Sequence, residues 1–223
     1  NRPTDAMLEG VRLHPLDVEK YRGSSTGRYV LSYLRFFLRA LLLAAAMHVR
    51  HRFDVVQVHT MPDFLVFAAL VPRLMGAKVI LDVHDLMPEL YMSKFRLGSD
   101  HWLVRALVRV ERMSVAFAHR AIAVNKVHLE ALVRHGNPGK KFEVLMNVPD
   151  PAVFYRRAGT RRRDAGFRMV YHGILSERYG LEMAMRAAMA ARREIPGLKL
   201  AIIGEGDDRE RLMRIAADLH LQE

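Results

Sequence analysis

The 223-residue chain contains no cysteine, and this absence excludes two kinds of site. Neither a disulfide framework nor a metal site with thiolate ligands can form. Acidic residues are few as well: 24 Asp and Glu stand against 35 Lys and Arg, which gives a formal net charge of +11. A positive field of this size favours anionic partners, such as a phosphate-bearing small molecule, anionic lipid head groups or a nucleic acid.

Two further absences concern whole architectures. No segment copies another, so the sequence does not predict a repeat array, and it has no nucleic-acid-binding motif with interleaved aromatic residues. The sequence begins at Asn1 without a signal peptide, and it stops at Glu223, after a predicted helix, where another strand would be expected. We therefore expect an internal part of a longer protein, with sequence missing at both ends.

From Phe53 onward the chain alternates short, β-branched apolar runs with helical segments. The first series predicts strands at residues 54–58, 78–83, 120–124 and 142–146, and helices at 63–75, 99–118 and 127–135. Strand–helix–strand units with short connections imply right-handed crossovers and a parallel sheet. The continuous apolar character of the run from Val79 to Val83 predicts a strand that is buried on both faces.

A second series follows a break in this pattern. Residues 151–166 begin with Pro151 and carry Arg156, Arg157, Arg161, Arg162 and Arg163, a composition typical of an exposed linker. Strands are then predicted at 167–171 and 198–203, and helices at 181–194 and from about 208. The predicted fold class is therefore α/β, with two Rossmann-like domains: residues 1–150, the basic linker 151–166, and residues 167–223.

Residues 28–52 are long enough for one helix, and two interpretations of it remain open. Arg28, Ser32, Arg35 and Arg39 form one polar stripe, whereas the other faces are rich in Leu, Phe, Val and Ala. Such a helix can pack into a core. It can also form a basic amphipathic surface that contacts a membrane or a lipid acceptor.

Polar side chains follow four successive predicted strands, and they form the first candidate site. His59, His84 with Asp85, Asn125 and Asn147 all stand at carboxyl ends, the edge where open α/β sheets bind ligands. The plain alternative is that these residues only end strands and cap the next helix. His59, His84 and Asp85 could also hold zinc or iron. Their spacing matches no compact ligand motif, and we expect no bound metal.

A loop of the second domain forms the other candidate site. Gly173 and Gly180 flank a strand-to-helix turn in which the backbone can approach a ligand, and Arg178 can contact a phosphate. The alternative is an ordinary turn with a solvated arginine. Gly204, Glu205 and Gly206 follow the next strand and are similar to a dinucleotide fingerprint. The third glycine is missing, because Arg209 stands there.

Taken together, these stretches resemble the GT-B-fold glycosyltransferases of family 4, which are retaining and use nucleotide sugars. The resemblance rests on the sequences DVVQVH at 54–59, VILDVHDLMPE at 79–89, VLMNVPD at 144–150, VYHGILSERYG at 170–180 and IIGEG at 202–206. It implies an acceptor-binding N-terminal domain and a donor-binding C-terminal domain, with His84 at the reaction centre. The family's donor motif, Gly-Arg-Leu-x-x-x-Lys-Gly, aligns with Gly173 to Gly180. This chain departs from the motif at two positions, with Ile174 in place of the Arg and Tyr179 in place of the Lys.

The expected function is transfer of a sugar from a nucleoside-diphosphate sugar to a hydroxyl acceptor, with retention and without a bound cofactor. His84 and Asp85 are the expected catalytic residues, and the acceptor belongs to glycan, cell-envelope or exopolysaccharide synthesis. We expect a cytoplasmic location, at the inner face of the membrane if 28–52 contacts lipid, and an inactive fragment. Two alternatives remain open: another Rossmann-type enzyme, such as a sugar-nucleotide epimerase or an NAD-dependent dehydrogenase, and a non-catalytic binder of anions or nucleic acid.

Overall fold

A computed structural model describes residues 6–16, 26–155 and 166–219. The chain divides into two compact units, Asn1–Pro149 and Asp150–Glu223. The first begins with an antiparallel hairpin of strands β1 (Ala6–Leu8) and β2 (Val11–Leu13). Its two-residue connection contains Gly10 in the left-handed region, with φ 84°, as tight hairpin turns require. The sequence analysis had predicted no hairpin in this segment.

Four parallel strands form the central sheet of the first unit, and they confirm the predicted parallel α/β architecture. They are β3 (Val55–His59), β4 (Lys78–Val83), β5 (Arg120–Ala123) and β6 (Phe142–Val144), in the spatial order β3-β4-β5-β6. In the register of the first pair, His59 lies opposite Asp82. All four carboxyl ends therefore meet at one edge of the sheet.

Helices connect the strands, with boundaries that differ from the predicted ones in several places. They are α1 (Thr26–His51), a 3₁₀ helix (Asp63–Ala69) that continues as α2 (Leu70–Leu74), α3 (Met87–Phe95), α4 (Trp102–Phe117) and α5 (Lys126–Arg134). Helix α3 lies in a segment predicted as loop, and Pro88 at its start suits the first helical turn. His101, rather than Ser99 or Asp100, caps α4 by accepting from the Leu103 N–H at 3.2 Å.

The core of the first unit lies between the sheet and its helices. Val79, Leu81 and Val83 are 0–2% exposed and pack with residues such as Val115 and Leu132 from the helices. Alternate side chains point to the opposite face, which carries Gln57, His59, Ile80 and Asp82. On this face Asp82 is buried and Ile80 is half-buried, so the predicted burial of β4 on both faces holds only in part for the second face. The second face of the sheet is where polar groups collect.

Helix α1 occupies the predicted span and contacts the segment 63–74 through one side only. Phe37 meets Phe64 edge to face, with ring centroids 5.7 Å apart, whereas Leu34, Leu38 and Leu42 are 47%, 48% and 66% exposed. By length and composition residues 31–51 could cross a membrane, and 6% of that window is buried. The helix is therefore not a core helix of the part of the chain that the structure describes.

The second unit contains a two-stranded parallel sheet and two helices. These are β7 (Arg168–His172), α6 (Leu181–Ala191), β8 (Lys199–Ile203) and α7 (Arg209–Asp218), with a short 3₁₀ turn at Glu177–Tyr179. Leu175, Leu181, Met185 and Leu212 form its small core. The arginine cluster predicted as a linker, 156–165, lies outside the described residues.

Candidate functional site

The central sheet brings the predicted strand-end residues to one edge. His59 is the last residue of β3, and His84 directly follows β4. The two loops are tied together by backbone contacts: the Thr60 N–H donates to the Asp82 carbonyl at 3.0 Å, and the His84 N–H donates to Thr60 Oγ1 at 3.0 Å. These bonds hold the backbone at His59 and His84 in place. The two imidazoles therefore face each other.

The centre of this site is a carboxylate between two imidazoles. His59 Nδ1 lies 2.9 Å from His84 Nε2, and Asp82 Oδ2 lies 3.2 Å from the first nitrogen and 3.5 Å from the second. Gln57 Nε2 donates to the same Asp82 oxygen at 3.0 Å. The Asp82 side chain is 10% exposed, whereas His59 and His84 are 57% and 36% exposed. A buried anion thus supports two imidazoles that solutes can reach.

Asp82 was missed as a site residue, although the sequence carried a signal for it. A carboxylate in an otherwise apolar strand is costly to bury unless it is hydrogen-bonded or paired, and Asp82 stands in the middle of the run from Val79 to Val83. The period-two alternation of the strand also puts Asp82 and His84 on the same face. Together, these two rules would have identified Asp82 as a partner of His84.

The other residues predicted at the strand ends lie outside this three-residue centre. Asp85 is exposed, and its carboxylate forms no ion pair within the described residues. Asn125 is the N-cap of α5, since its Oδ1 accepts from the His128 N–H at 2.8 Å. Asn147 is exposed beyond the end of β6. The capping interpretation therefore describes Asn125, and the three-residue centre does not include Asp85.

A buried polar network holds the helix that follows the His84 loop. His135 Nε2 lies 3.0 Å from Glu89 Oε1 on α3, and His135 Nδ1 lies 3.0 Å from Glu111 Oε2 on α4. The Asn137 amide donates to Glu111 Oε1 at 2.6 Å. Burial raises the pKa of Glu111, and the adjacent His135 opposes that rise. The network thus joins α3, α4 and the end of α5 behind the candidate site.

The glycines of the second unit let two strand-end loops pack backbone against backbone. The Gly173 N–H donates to the Ile203 carbonyl at 3.0 Å, and the Leu175 N–H donates to the Glu205 carbonyl at 2.9 Å. A Cβ on Gly204 would overlap the Gly173 carbonyl oxygen, and one on Gly206 would overlap that of Leu175. Close loop packing therefore explains the Gly204-Glu205-Gly206 sequence without a bound dinucleotide.

The predicted phosphate loop ends at the start of α6. Gly180 is the N-cap of that helix, with φ 67° in the left-handed region, where glycine is favoured. Arg178 is exposed, and its guanidinium donates to the Tyr179 hydroxyl at 2.8 Å while lying 4.8 Å from the ring centroid. One departure from the family's motif, Tyr179, therefore contacts the guanidinium of Arg178 directly.

A second arginine organises the helices of this unit. Arg211 on α7 donates to both oxygens of Asp208, at 2.6 and 2.9 Å, and to Glu182 Oε2 on α6 at 2.6 Å. Hydrogen bonds from Arg211 hold the pKa of Asp208 and of Glu182 below their usual values. The guanidinium of Arg211 therefore links helices α6 and α7, whereas the side chain of Arg178 is exposed.

The strand-end centre also has a donor set that suits a metal ion. His59, Asp82 and His84 each offer one ligand atom, and the three atoms lie within 4.8 Å of one another. Two imidazole nitrogens and a carboxylate oxygen are ligands that zinc and iron accept. The sequence analysis considered Asp85 as the third ligand, and the geometry puts Asp82 there instead.

Solved structures of similar fold show the fold class of the chain. Sucrose-phosphate synthase from Thermosynechococcus elongatus superposes with a TM-score of 0.68 at 16% identity, covering 99% of this chain and 55% of that chain. HepE from Anabaena, solved with UDP and glucose, gives 0.60 at 17%, covering 82% and 49%. The lipopolysaccharide outer core galactosyltransferase WaaB gives 0.57 at 14%, covering 86% and 47%. The predicted GT-B fold, with Rossmann-like domains, is thereby confirmed.

The sequence profile of the glycosyl transferase 4-like domain matches residues 1–148. The chain therefore belongs to this glycosyltransferase family, and the resemblance drawn from its motifs is confirmed. The chain spans about half the length of the solved structures that it matches first. No curated protein sequence matches it.

Proposed function

We propose that the protein transfers a sugar from a nucleoside-diphosphate sugar to a hydroxyl acceptor, with retention at the anomeric carbon and without a bound metal or cofactor. The observation that carries the proposal is His84, which stands at the carboxyl end of β4, in contact with His59 and backed by buried Asp82. Membership of the glycosyl transferase 4-like family supports the reaction type. Glycan, cell-envelope or exopolysaccharide synthesis is the proposed setting.

The imidazole of His84 positions the reacting hydroxyl groups. A half-exposed ring nitrogen can hold a sugar or acceptor hydroxyl by a hydrogen bond. Holding the acceptor on the face of the sugar from which the diphosphate leaves lowers the barrier to a transfer that retains the configuration. In the reaction the bond from the anomeric carbon to the diphosphate breaks and the bond to the acceptor oxygen forms. The acceptor proton leaves with the diphosphate or through the imidazole pair. Asp82 lies against both imidazoles and holds them in position.

Residues 167–219 bind the donor in this proposal. The start of α6 offers backbone N–H groups, and a helix N-terminus stabilises negative charge. Arg178 is the cation nearest in sequence to that helix start, and we assign to it the contact with the diphosphate that Ile174 and Tyr179 do not supply. Such contacts would stabilise the charge that develops on the leaving group.

Helix α1 supports a location at the cytoplasmic face of a membrane and a lipid-linked acceptor. Its exposed apolar residues recur on one stripe, Leu31, Leu34, Leu38, Leu42 and Val49. Arg35 and Arg39 lie beside that stripe. A helix with an exposed apolar stripe next to basic side chains can lie in the interface of an anionic bilayer.

The decisive test is sugar transfer by the intact protein and its His84→Ala variant. We expect His84→Ala to lower kcat by about 10²–10⁴-fold, the range typical of a lost acid–base group, while circular dichroism remains unchanged. Transfer from UDP- and GDP-sugars to hydroxyl acceptors is measured with labelled sugar, and NMR of the product gives the anomeric configuration. Near-wild-type transfer by the variant would sink the assignment.

The same assay separates the proposal from a sugar-nucleotide epimerase or a dehydrogenase. An epimerase would convert the labelled nucleotide sugar without an acceptor, and a dehydrogenase would require NAD. Acceptor-dependent release of UDP or GDP in the absence of NAD is the result that we expect.

A further inference from the structure

The helical layer of the first unit contains a pocket of about 400 Å³ that is lined by four arginines. Arg105, Arg109 and Arg112 come from α4, and Arg134 comes from the last turn of α5. The spacing of four and three residues along α4 puts the first three on one face of the helix. No acidic side chain lines this pocket within the described residues.

The four guanidinium groups have no counter-ion in the part of the chain that the structure describes. Two acidic residues of the adjoining helices, Glu89 and Glu111, are held by His135, at 3.0 Å each, and neither they nor Glu130 of α5 line the pocket. Other arginines of the chain do have partners, as Arg211 does in Asp208 and Glu182. Four unpaired cations around one depression create a strong local positive potential.

The shape of the pocket suits planar, forked donors that converge on an anion. Arg112 lies against the backbone of Gly136, where a Cβ would stand 3.5 Å from the guanidinium carbon. Met92, Val104 and Val108 contribute apolar surface to the pocket wall. We propose that this arginine pocket binds a phosphate or diphosphate group, because guanidinium groups bind phosphate oxygens in bidentate fashion.

This pocket is separate from the proposed transfer site. Its arginines belong to α4 and α5, whereas His59 and His84 stand at the ends of β3 and β4. The donor diphosphate is assigned to residues 167–219. The inference therefore does not rest on the transferase activity, and either proposal can fail without the other.

The bound phosphate has two possible sources, a soluble molecule or a lipid head group. Trp102 stands one turn before Arg105 on α4 and is 72% exposed. An exposed tryptophan next to arginines is typical of a surface that rests at a bilayer interface. Trp102 is also the single tryptophan of the 223 residues, which makes it a fluorescent reporter for this pocket.

The test is a titration of the intact protein with inorganic pyrophosphate, read by Trp102 fluorescence. We expect a saturable change. Arg109→Gln combined with Arg112→Gln should weaken binding about 100-fold, at about tenfold for each lost charged hydrogen bond. The matched control is Arg193→Gln combined with Arg214→Gln, which removes equal charge from exposed arginines of the second unit and should bind within twofold of wild type.

Two further measurements identify the ligand source and the type of contact. Vesicles of phosphatidylglycerol with brominated acyl chains should quench Trp102 if the phosphate is a head group, and the double Gln variant should then require more lipid. Pyrophosphate binding without quenching indicates a soluble ligand. Arg109→Lys combined with Arg112→Lys keeps the charge and should lose only part of the affinity, because the forked contact is gone.

Two outcomes overturn the proposal. One is the absence of any saturable response to pyrophosphate or to the vesicles. The other is a response of the folded double Gln variant that stays within twofold of wild type, since the anion would then bind elsewhere. Circular dichroism of every variant confirms that the fold is retained, and the Lys variant supplies a binding measurement if the Gln variant fails to fold.

Discussion

His59 Nδ1 and His84 Nε2 lie 2.9 Å apart at the ends of two neighbouring parallel strands, β3 and β4. One N–H between two imidazole nitrogens makes them donor and acceptor, so the pair behaves as a unit. The carboxylate of Asp82 lies 3.2 Å from one nitrogen and 3.5 Å from the other. A carboxylate in contact with both nitrogens orients the two rings and interacts electrostatically with them.

This relationship predicts the effect of neutralising the carboxylate. Asp82→Asn keeps the size of the side chain and removes its charge, so the imidazoles lose their electrostatic support. We expect kcat for sugar transfer to fall about tenfold, less than for His84→Ala, because the group that contacts the substrate remains. Asp54→Asn, at the exposed amino end of β3, is the matched control. Equal rates for the two variants would contradict the role of Asp82.

The sequence predicted the sheet better than it predicted the centre of the site. Apolar runs and turn residues predicted all four central strands and their parallel order, because the hydrophobic period and short connections leave few alternatives. The pairing of His59 with Asp82 depends on strand register, which the sequence does not specify in advance. The prediction therefore named two of the three central residues and chose Asp85, which follows the strand, in place of Asp82.

Helix ends were less predictable than helix positions. The helix predicted over 63–75 begins as a 3₁₀ helix with Pro62 as its N-cap, and the Asp63 side chain, a residue type that commonly caps helices, is buried and makes no capping bond. Helix α3 was missed because Pro88 and Glu89 follow a polar loop, and tertiary contact from His135 to Glu89 stabilises it. Local propensity is a weak guide where such contacts decide.

Asp63 leads to a prediction about pH and stability. Burial raises its pKa to about 7, and the nearby Glu111 adds to the rise. Between pH 4 and 7 the unfolded chain loses this proton while the folded chain keeps it, so the free energy of unfolding should fall as pH rises through this range. Three pKa units correspond to a loss of about 4 kcal/mol.

Asp63→Asn removes that titration, and we expect the variant to be more stable than wild type at pH 8 and of similar stability at pH 4. Denaturant unfolding followed by Trp102, in the same unit, measures both values. Glu111, whose pKa burial also raises, should leave a residual slope of the same sign. A wild-type protein as stable at pH 8 as at pH 5, or a variant with the wild-type slope, would refute the prediction.

The packing of the two glycine loops predicts the result of adding one methyl group. Gly204→Ala would push a Cβ into the Gly173 carbonyl, which is backbone and cannot rotate away. We expect a loss of about 2 kcal/mol or more in stability, together with weaker binding of UDP-sugar. Gly98→Ala is the control, because nothing lies within 4 Å of its added Cβ. Isothermal calorimetry with UDP-sugar and thermal unfolding measure the two effects.

The donor set at the strand ends predicts how metals affect the enzyme. We expect a chelator to leave sugar transfer unchanged, since the proposed reaction requires no metal. Added Zn²⁺ should inhibit, because His59, Asp82 and His84 can bind it and remove the imidazole of His84 from the reaction. Retention of full activity by wild type at a Zn²⁺ concentration that saturates the three side chains would contradict this, and so would loss of activity on chelation.

The exposed stripe of α1 predicts binding to anionic membranes. Leu38 and Leu42 are 48% and 66% exposed, and burying a leucine side chain in a bilayer interface contributes about 1.5–2 kcal/mol. Leu38→Glu combined with Leu42→Glu should therefore weaken vesicle binding at least 100-fold, measured by co-sedimentation with phosphatidylglycerol vesicles. Val127→Glu combined with Val133→Glu places the same two charges on exposed apolar sites of α5, 68% and 44% exposed, and should bind as wild type does.

The salt dependence of vesicle binding separates the apolar contribution of helix α1 from its electrostatic contribution. Arg35 and Arg39 lie beside the apolar stripe, so raising the salt concentration from 0.1 to about 0.5 M should weaken wild-type binding only in part. An electrostatic contact alone would be lost entirely under these conditions. Binding by the double Glu variant that matches wild type at both salt concentrations would assign the membrane contact to another surface, and the first candidate would then be the arginine pocket on α4.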